Sequence, residues 1–453
     1  MKIKRLFEGD SFFSPGIFLR KPFYFGVTVA VLVTTIFSWF NLNSWCIILF
    51  AACGLFNGNP LSNVKTAFSN KYFLGFFAYF LTDLLGMLHT HNQHAGWNIV
   101  SKDATLVAVP FVLCCRPFAD AETYKKIMTS CCLILVAASC CCIILACRNY
   151  MVTKDIEVFF YHPLVRPISQ NAIFYTVFIL FGLLFLLSND IGTAMPGTGK
   201  PVPRKWRLAL IFFFCLMIVL LASKLFLITL VLMLLYFIFR KYSFRQNRKR
   251  LAAAGGILVL LGVLLASTNN PIKKRYNDIV EANISMIATE HFNPGVYFNG
   301  LQLRLLEWRF AFEILKEHRA WFWGTGTGDS QDILNQKYIA ANMYMGTPGR
   351  KGHGFIGYNF HNQYIETLVR SGVIGLAVLL ILFGLMVGIA RQWKTGQAYF
   401  TVLILVIFFL PQSPLTMQHG VFLCCFFPLL LLYSPKNTHS AGASAGASAS
   451  QAG

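Results

Sequence analysis

Residues 206–239 read WRLALIFFFCLMIVLLASKLFLITLVLMLLYFIF, more than thirty positions in which only Arg207 and Lys224 carry charge. A helix needs roughly 20 apolar residues to cross a hydrocarbon core of about 30 Å, so the stretch is long enough for two passes joined at Ser223-Lys224. The run is continuous rather than alternating, as is 173–187, which excludes the two-residue period of a membrane β-barrel. Such runs recur along most of the 453 residues, of which 56% are hydrophobic and 13% charged. A soluble monomer of that composition would expose apolar patches that water does not tolerate. The expected fold class is therefore all-α, a polytopic membrane protein.

Runs and breaks predict about twelve spans, near 22–40, 43–57, 73–90, 104–117, 127–146, 171–187, 206–222, 224–239, 253–267, 372–390, 398–410 and 419–433. The net charge of +21, from 39 Lys and Arg against 18 Asp and Glu, would suggest nucleic acid on a soluble chain, but its placement points elsewhere. With a cytoplasmic N-terminus (1–21), the short cytoplasmic segments hold 23 Lys and Arg and the short outer loops only five, Lys102, Arg148, Lys154, Arg166 and Lys224. The positive-inside rule then puts both termini in the cytoplasm, with membrane lipid and not nucleic acid as the partner. Residues 22–267 carry spans one to nine, 268–371 form one long outer loop containing helices, 372–433 carry spans ten to twelve, and 434–453 are a cytoplasmic tail. The repeat SAGASAGASASQAG at 440–453 is a linker-like tail with no bearing on function.

Cysteine adds no chemistry: all 13 lie in or beside apolar runs, without CxxC spacing, and read as small hydrophobes. The opening segment lacks an A-x-A site and is followed by further spans, so it does not read as a cleaved signal peptide.

A loop of about a hundred residues in a compact protein is usually functional. Within it, LQLRLLEWRFAFEILKEH at 301–318 is an amphipathic helix, WFWGTGTGD follows as a tight turn, a Gly-rich polar stretch runs to Gly357, and a second helix begins near His361 and continues into span ten. At helical spacing His361, Tyr364, Ile365 and Leu368 share a face, which sets His361 and Asn362 at the outer mouth. A histidine there is either an interfacial side chain with a satisfied hydrogen bond or a base near neutral pH. Arg304 and Trp308 are i, i+4 neighbours, able to clamp an anion and pack on a sugar or lipid; the alternative for Arg304 is an ion pair with Glu307. Arg309 is accounted for by Glu313 at i+4. Lys224 at the turn between two spans either snorkels or holds an anion. Tyr161-His162-Pro163-Leu164-Val165-Arg166 adds a further His and Arg, as interfacial anchors or site residues.

Three features carry less. Gly324-Thr-Gly326-Thr-Gly328 has neither a Walker lysine nor a preceding strand, so nucleotide binding is not indicated. Asp155 and Glu157 supply too few ligands for a hard cation. Asp83 is the one acidic residue read inside a span, as a buried contact or an ion-path residue.

Together, RLLEWRFAFEIL at 304–315, WGTGTG at 323–328 and HNQYIETLVRSGVIGL at 361–376 resemble the O-antigen ligase/polymerase family. The resemblance implies an inner-membrane glycosyltransferase of the GT-C type, working on the periplasmic face without metal or other cofactor. The donor it implies is a glycan on undecaprenyl pyrophosphate, and the acceptor lipid A-core or another glycan. His361 matches the family's essential histidine and Arg304 its pyrophosphate arginine. Lys224 stands where the family has an arginine, and so keeps charge but loses the planar fork. Arg166 joins them as a donor-site cation, with Asn362, Trp308, His162 and Tyr364 as supporting residues. The leading reading is an O-antigen ligase. A polymerase or a protein O-oligosaccharyltransferase would share the donor site, and a lipid-linked glycan transporter would instead need charged residues within paired, broken spans.

Overall fold

The structure is a computed structural model that describes residues 21–115, 121–188, 203–241, 284–346 and 354–432. Every regular element among them is helical. The first group comprises α1 (Lys21–Ile36), α2 (Phe40–Leu55), α3 (Pro60–Phe68), α4 (Lys71–Gly86), α5 (Gln93–Asp103), α6 (Thr105–Cys114), α7 (Ala121–Thr153), α8 (Tyr161–Val165) and α9 (Ala172–Ser188). Then follow α10 (Arg204–Leu220), α11 (Lys224–Lys241), α12 (Gly300–Glu317), α13 (Ser330–Ala340), α14 (Gln363–Trp393), α15 (Gly396–Phe408) and α16 (Gln418–Leu432).

Four helical segments are long and apolar enough to cross a membrane: Lys71–His89, Gln93–Cys114, Glu122–Thr153 and Gln363–Trp393. Two bent pairs raise the number to six, Phe40–Leu55 with Pro60–Phe68 at 100° and Tyr161–Ile168 with Ala172–Ser188 at 81°. Among the described residues the architecture therefore supports four to six spans where the sequence suggested about twelve. Length is the physical reason, because at 1.5 Å per residue a helix of about 15 residues covers only about 22 Å, and Phe23–Ile36, Gly396–Phe408 and Gln418–Leu432 are of this shorter kind. The expected ninth span, 253–267, lies outside the described residues, as do both termini.

The apolar helices share one continuous core that includes Phe50, Tyr79, Val109, Leu135, Phe178, Phe226, Phe408 and Phe426. The long loop builds a second core of its own from Phe292, Leu306, Phe310, Ile314, Leu334, Tyr338, Phe360 and Val369. Its main helix, α12, starts at a reciprocal cap in which the Asn299 side chain accepts from the Leu301 and Gln302 amides while Gln302 Oε1 accepts from the Asn299 amide. Lys337 on α13 then bridges Glu313 at 3.0 Å and Glu317 at 2.7 Å, fastening α13 to α12.

Segments read as outer loops gather at one end of the bundle. Gln170 Nε2 donates to the carbonyls of Thr35 and Ile36, and Gln418 Nε2 to Asn43 Oδ1. The Gln363 amide donates to Phe409 O at 2.9 Å, and the rings of Phe226 and Phe408 lie 6.3 Å apart. The loop's second core sits on this end through a break in α14, where Gly372 adopts φ 67° and ψ −166°. Trp321–Gly326 pairs with the break: the Thr325 amide donates to Val369 O, the Gly326 amide to Arg370 O and the Val373 amide to Trp321 O. A Cβ on Gly324 would fall 2.2 Å from Arg370 O and one on Gly372 2.1 Å from Phe322 O, so only glycine permits this approach.

Candidate active site

Two elements converge at this end, the middle of α12 and the residues that precede α14. Helix α14 starts at Gln363 with Asn362 as its cap, the Asn362 Oδ1 accepting from the Ile365 amide at 3.1 Å. This corrects the expectation that His361 shares a helical face with Tyr364 and Leu368. His361 lies outside the helix in the left-handed region, φ 46°, with its amide donating to Asn359 Oδ1. That conformation is costly for a residue with a Cβ, and it persists because the Asn359 bond and the Asn362 cap hold it on both sides.

The His361 ring meets Glu307 of α12, Nδ1 to Oε2, at 2.9 Å. The Glu307 side chain has no exposure, whereas that of His361 keeps 23%, so one end of the pair is sealed and the other open. Burial pushes the Glu307 carboxyl above its usual range, opposed by His361 and by the Arg304 charge. The Tyr338 hydroxyl lies 3.3 Å from Glu307 Oε1 and 3.2 Å from Tyr358 O, and its own burial raises its pKa well above the ordinary phenol value. A carboxylate against Nδ1 places the ring proton there and leaves the Nε2 lone pair for a substrate proton.

Trp308 donates from Nε1 to Phe360 O at 3.1 Å, tying α12 to the backbone beside His361. Arg304, one turn earlier, gives Nε to Pro411 O at 3.3 Å and an Nη1 hydrogen to Gly300 O. The expected alternative, a direct Arg304–Glu307 ion pair, is therefore displaced: Glu307 pairs with His361 and Arg304 bonds two carbonyls. Arg309 does pair with Glu313, at 3.0 Å.

The other expected residues are distributed around the same end. Lys224 opens α11 directly after buried Ser223, two residues before Phe226, whose ring meets Phe408. Nδ1 of His162 accepts from the Ala172 amide at 3.3 Å, at the first residue of α9. Arg166 is exposed in the short turn Arg166–Ile168. Tyr364 packs against Phe383 and Phe409 and donates to Val406 O, so it anchors α14 on α15. Asp155 and Glu157 are exposed, and among the described residues no group of three or more His, Cys, Asp or Glu side chains could hold a metal ion.

Two polar groupings escaped sequence reading. Glu307 is the first, 54 residues from His361 and out of reach of any local periodicity. The second is Arg370 on α14, 1% exposed, with Nη1 at 3.4 Å from both Asp83 and Asp103 and Nη2 at 3.8 Å from Glu366. The sequence had placed Asp83 alone inside a span; the fold gives it a cation and two carboxylate neighbours. Ser371 Oγ also reaches Asp83 at 3.4 Å, and Tyr79, Thr367 and Gln363 extend the polar seam.

The Gly-rich turn is a junction. Thr327 Oγ1 donates to Asp83 O at 2.6 Å, and the Asp329 carboxylate accepts from the amides of His91 and Asn92.

No curated protein matches the chain. Residues 208–380 match the family model described as O-antigen ligase, a segment that contains Lys224, Arg304, Glu307, Trp308, His361 and Arg370 and leaves out His162 and Arg166. By its motifs, and by a matched segment that spans both halves of the His361 site, the chain is similar to the O-antigen ligase-like family.

Proposed function

We propose that the protein is an O-antigen ligase of the inner membrane, transferring a glycan from undecaprenyl pyrophosphate to a sugar hydroxyl of lipid A-core on the periplasmic face. The observation that supports this most is the His361–Glu307 contact, a half-open imidazole backed by a sealed carboxylate. In the proposed step the acceptor hydroxyl gives its proton to His361 Nε2 as its oxygen attacks the anomeric carbon. The bond from that carbon to the pyrophosphate oxygen breaks on the opposite face, and configuration inverts. Glu307 stabilises the imidazolium that forms; general base catalysis of this kind contributes about 10²–10⁴-fold. The departing pyrophosphate needs positive charge and no acid. Arg304 and Lys224 supply it, with Arg166 as a further cation of the same end. A polymerase or protein O-oligosaccharyltransferase would use the same donor half, so the acceptor decides among them.

The test is glycan transfer by purified protein from an undecaprenyl-pyrophosphate glycan to lipid A-core, to free carrier glycan and to a protein acceptor, with and without EDTA. Transfer to lipid A-core should dominate, survive EDTA, and fall by about 10²–10⁴-fold in His361→Ala. Activity of that variant within a few-fold of the parent removes His361 from the chemistry, and preference for another acceptor replaces the ligase reading with the corresponding one.

A further inference from the structure

The turn between α12 and α13 carries three consecutive aromatic residues, Trp321, Phe322 and Trp323, which are 41%, 70% and 66% exposed. Phe312, 50% exposed on α12, lies beside them with its ring 6.3 Å from that of Trp321. Such a patch on a loop facing only water would be a liability. Its height is fixed, because the Val373 amide donates to Trp321 O at 2.8 Å and Gly372 abuts Phe322 O. From Val373 to Ala390, α14 has no charged residue. Those residues cover about 27 Å of helix, close to one hydrocarbon thickness. The aromatic turn is thus tied to the first residue of the apolar stretch, at the level where hydrocarbon gives way to headgroups.

The flanking chemistry agrees. The exposed stripe of α14 begins with Val373 and Ile374 and continues through Leu380 and Ile381, so the turn prolongs a surface that faces acyl chains when α14 crosses a membrane. Immediately before the turn, Lys316, His318 and Arg319 are exposed, and Glu317 among them is paired with Lys337. Aromatic rings at the boundary with basic residues adjoining them in sequence match the interface of a bilayer with anionic headgroups.

We propose that the Trp321–Trp323 turn is a membrane-docking surface that inserts into the outer-leaflet interface and holds the loop module against the bilayer. The turn then adds a lipid attachment to the protein contacts that fix the module, among them those to α14, Asp83 and Asn92, and α12 is held at a set height above the lipid. This inference concerns lipid contact alone and stands apart from the glycan-transfer reading.

The experiment uses the full chain in native membranes, with Phe322 replaced by p-benzoyl-phenylalanine and, separately, Ile339, which is exposed on α13. Irradiation in the presence of phospholipid with an alkyne-tagged acyl chain should give a lipid adduct at position 322 several-fold above that at 339. An adduct at 322 no greater than at 339, or one chiefly with polypeptide, overturns the proposal. Equal membrane content and solubilised size of both variants establish that each has folded.

Discussion

Two charged groupings lie at the two ends of the short approach to the membrane run of α14, and they differ in what their charges can reach. At the mouth, His361 and Glu307 form a single contact at 2.9 Å, and the imidazole retains 23% exposure. At the break, Arg370 is enclosed by Asp83, Asp103 and Glu366 at 3.4–3.8 Å and is 1% exposed. A pair with one open member has a valence left for a substrate. An enclosed group has no open face, although Arg370 Nε and Nη2 lack a hydrogen-bond acceptor, and its carboxylates hold helices together: Asp83 from α4, Asp103 from α5 and Glu366 from α14 meet on one guanidinium. Paired charges thus leave an accessible ring in one place and a closed tie between helices in the other, and burial decides which.

The comparison can be broken by variants that exchange those roles. Arg370→Leu should have the largest effect on stability, about 3–5 kcal/mol, because it leaves buried carboxylates without their cation. Thermal unfolding of the solubilised protein measures this, and an unchanged midpoint would make the cluster dispensable. His361→Ala, in contrast, should lower that midpoint less, because Glu307 keeps the Tyr338 hydroxyl as a partner, while transfer falls by about 10²–10⁴-fold.

Glu307→Gln sharpens the functional side. A hydrogen bond to a charged group is worth about 1.5–3 kcal/mol, so transfer should fall roughly ten- to hundredfold. A rate within a few-fold of the parent would assign Glu307 to packing alone. Gly372→Ala comes next, at about 1–3 kcal/mol for a strained positive φ, with the contact to Phe322 O added.

The smallest expected effect is that of Asp329→Asn. Burial pushes the Asp329 carboxyl up, but the amides of Asn92 and His91 and the His91 ring outweigh it and hold the group below the usual carboxylate range. A depressed folded-state pKa contributes stability above the unfolded carboxylate range and loses it as pH falls through the folded value. The gap between parent and variant midpoints should therefore be widest near neutral pH and close in acid; a gap that is flat with pH would remove the charge from the argument.

What the sequence made legible follows the reach of its periodicities. The apolar face of 301–318 and the H-N-Q start of a membrane-entering helix both appear in the fold, as Gly300–Glu317 and Gln363–Trp393, because repeats of three and four residues encode them locally. Helix α13 was missed: SQDILNQKYIA is polar and follows a run of glycines, and its two apolar anchors, Leu334 and Tyr338, gain meaning only against α12. Of the site residues, Trp308, His361 and Asn362 stand together with Arg304 one turn away on α12, whereas Tyr364 packs against Phe409 and His162 bonds the first amide of α9. The pairing of Glu307 with His361 and the cluster around Arg370 were invisible because the partners are 54 and up to 287 residues away. Such pairings are fixed by tertiary closure, which no window along the chain contains.

The turn at 324–329 also governs how this chain can vary in length. Its backbone and side chains register at once against Val369 and Arg370 on α14, Asp83 on α4, and His91 and Asn92 before α5. Adding or deleting one residue there would shift three sets of contacts simultaneously, and no rotation of a single bond could restore them. The 3₁₀ turn at Ile156–Phe159 rests Val158 and Phe159 on the core but keeps its own backbone bonds local, so it carries less of that constraint. Insertions are best absorbed where little backbone is committed, so the chain is open to remodelling at such margins and closed to it at the turn 324–329.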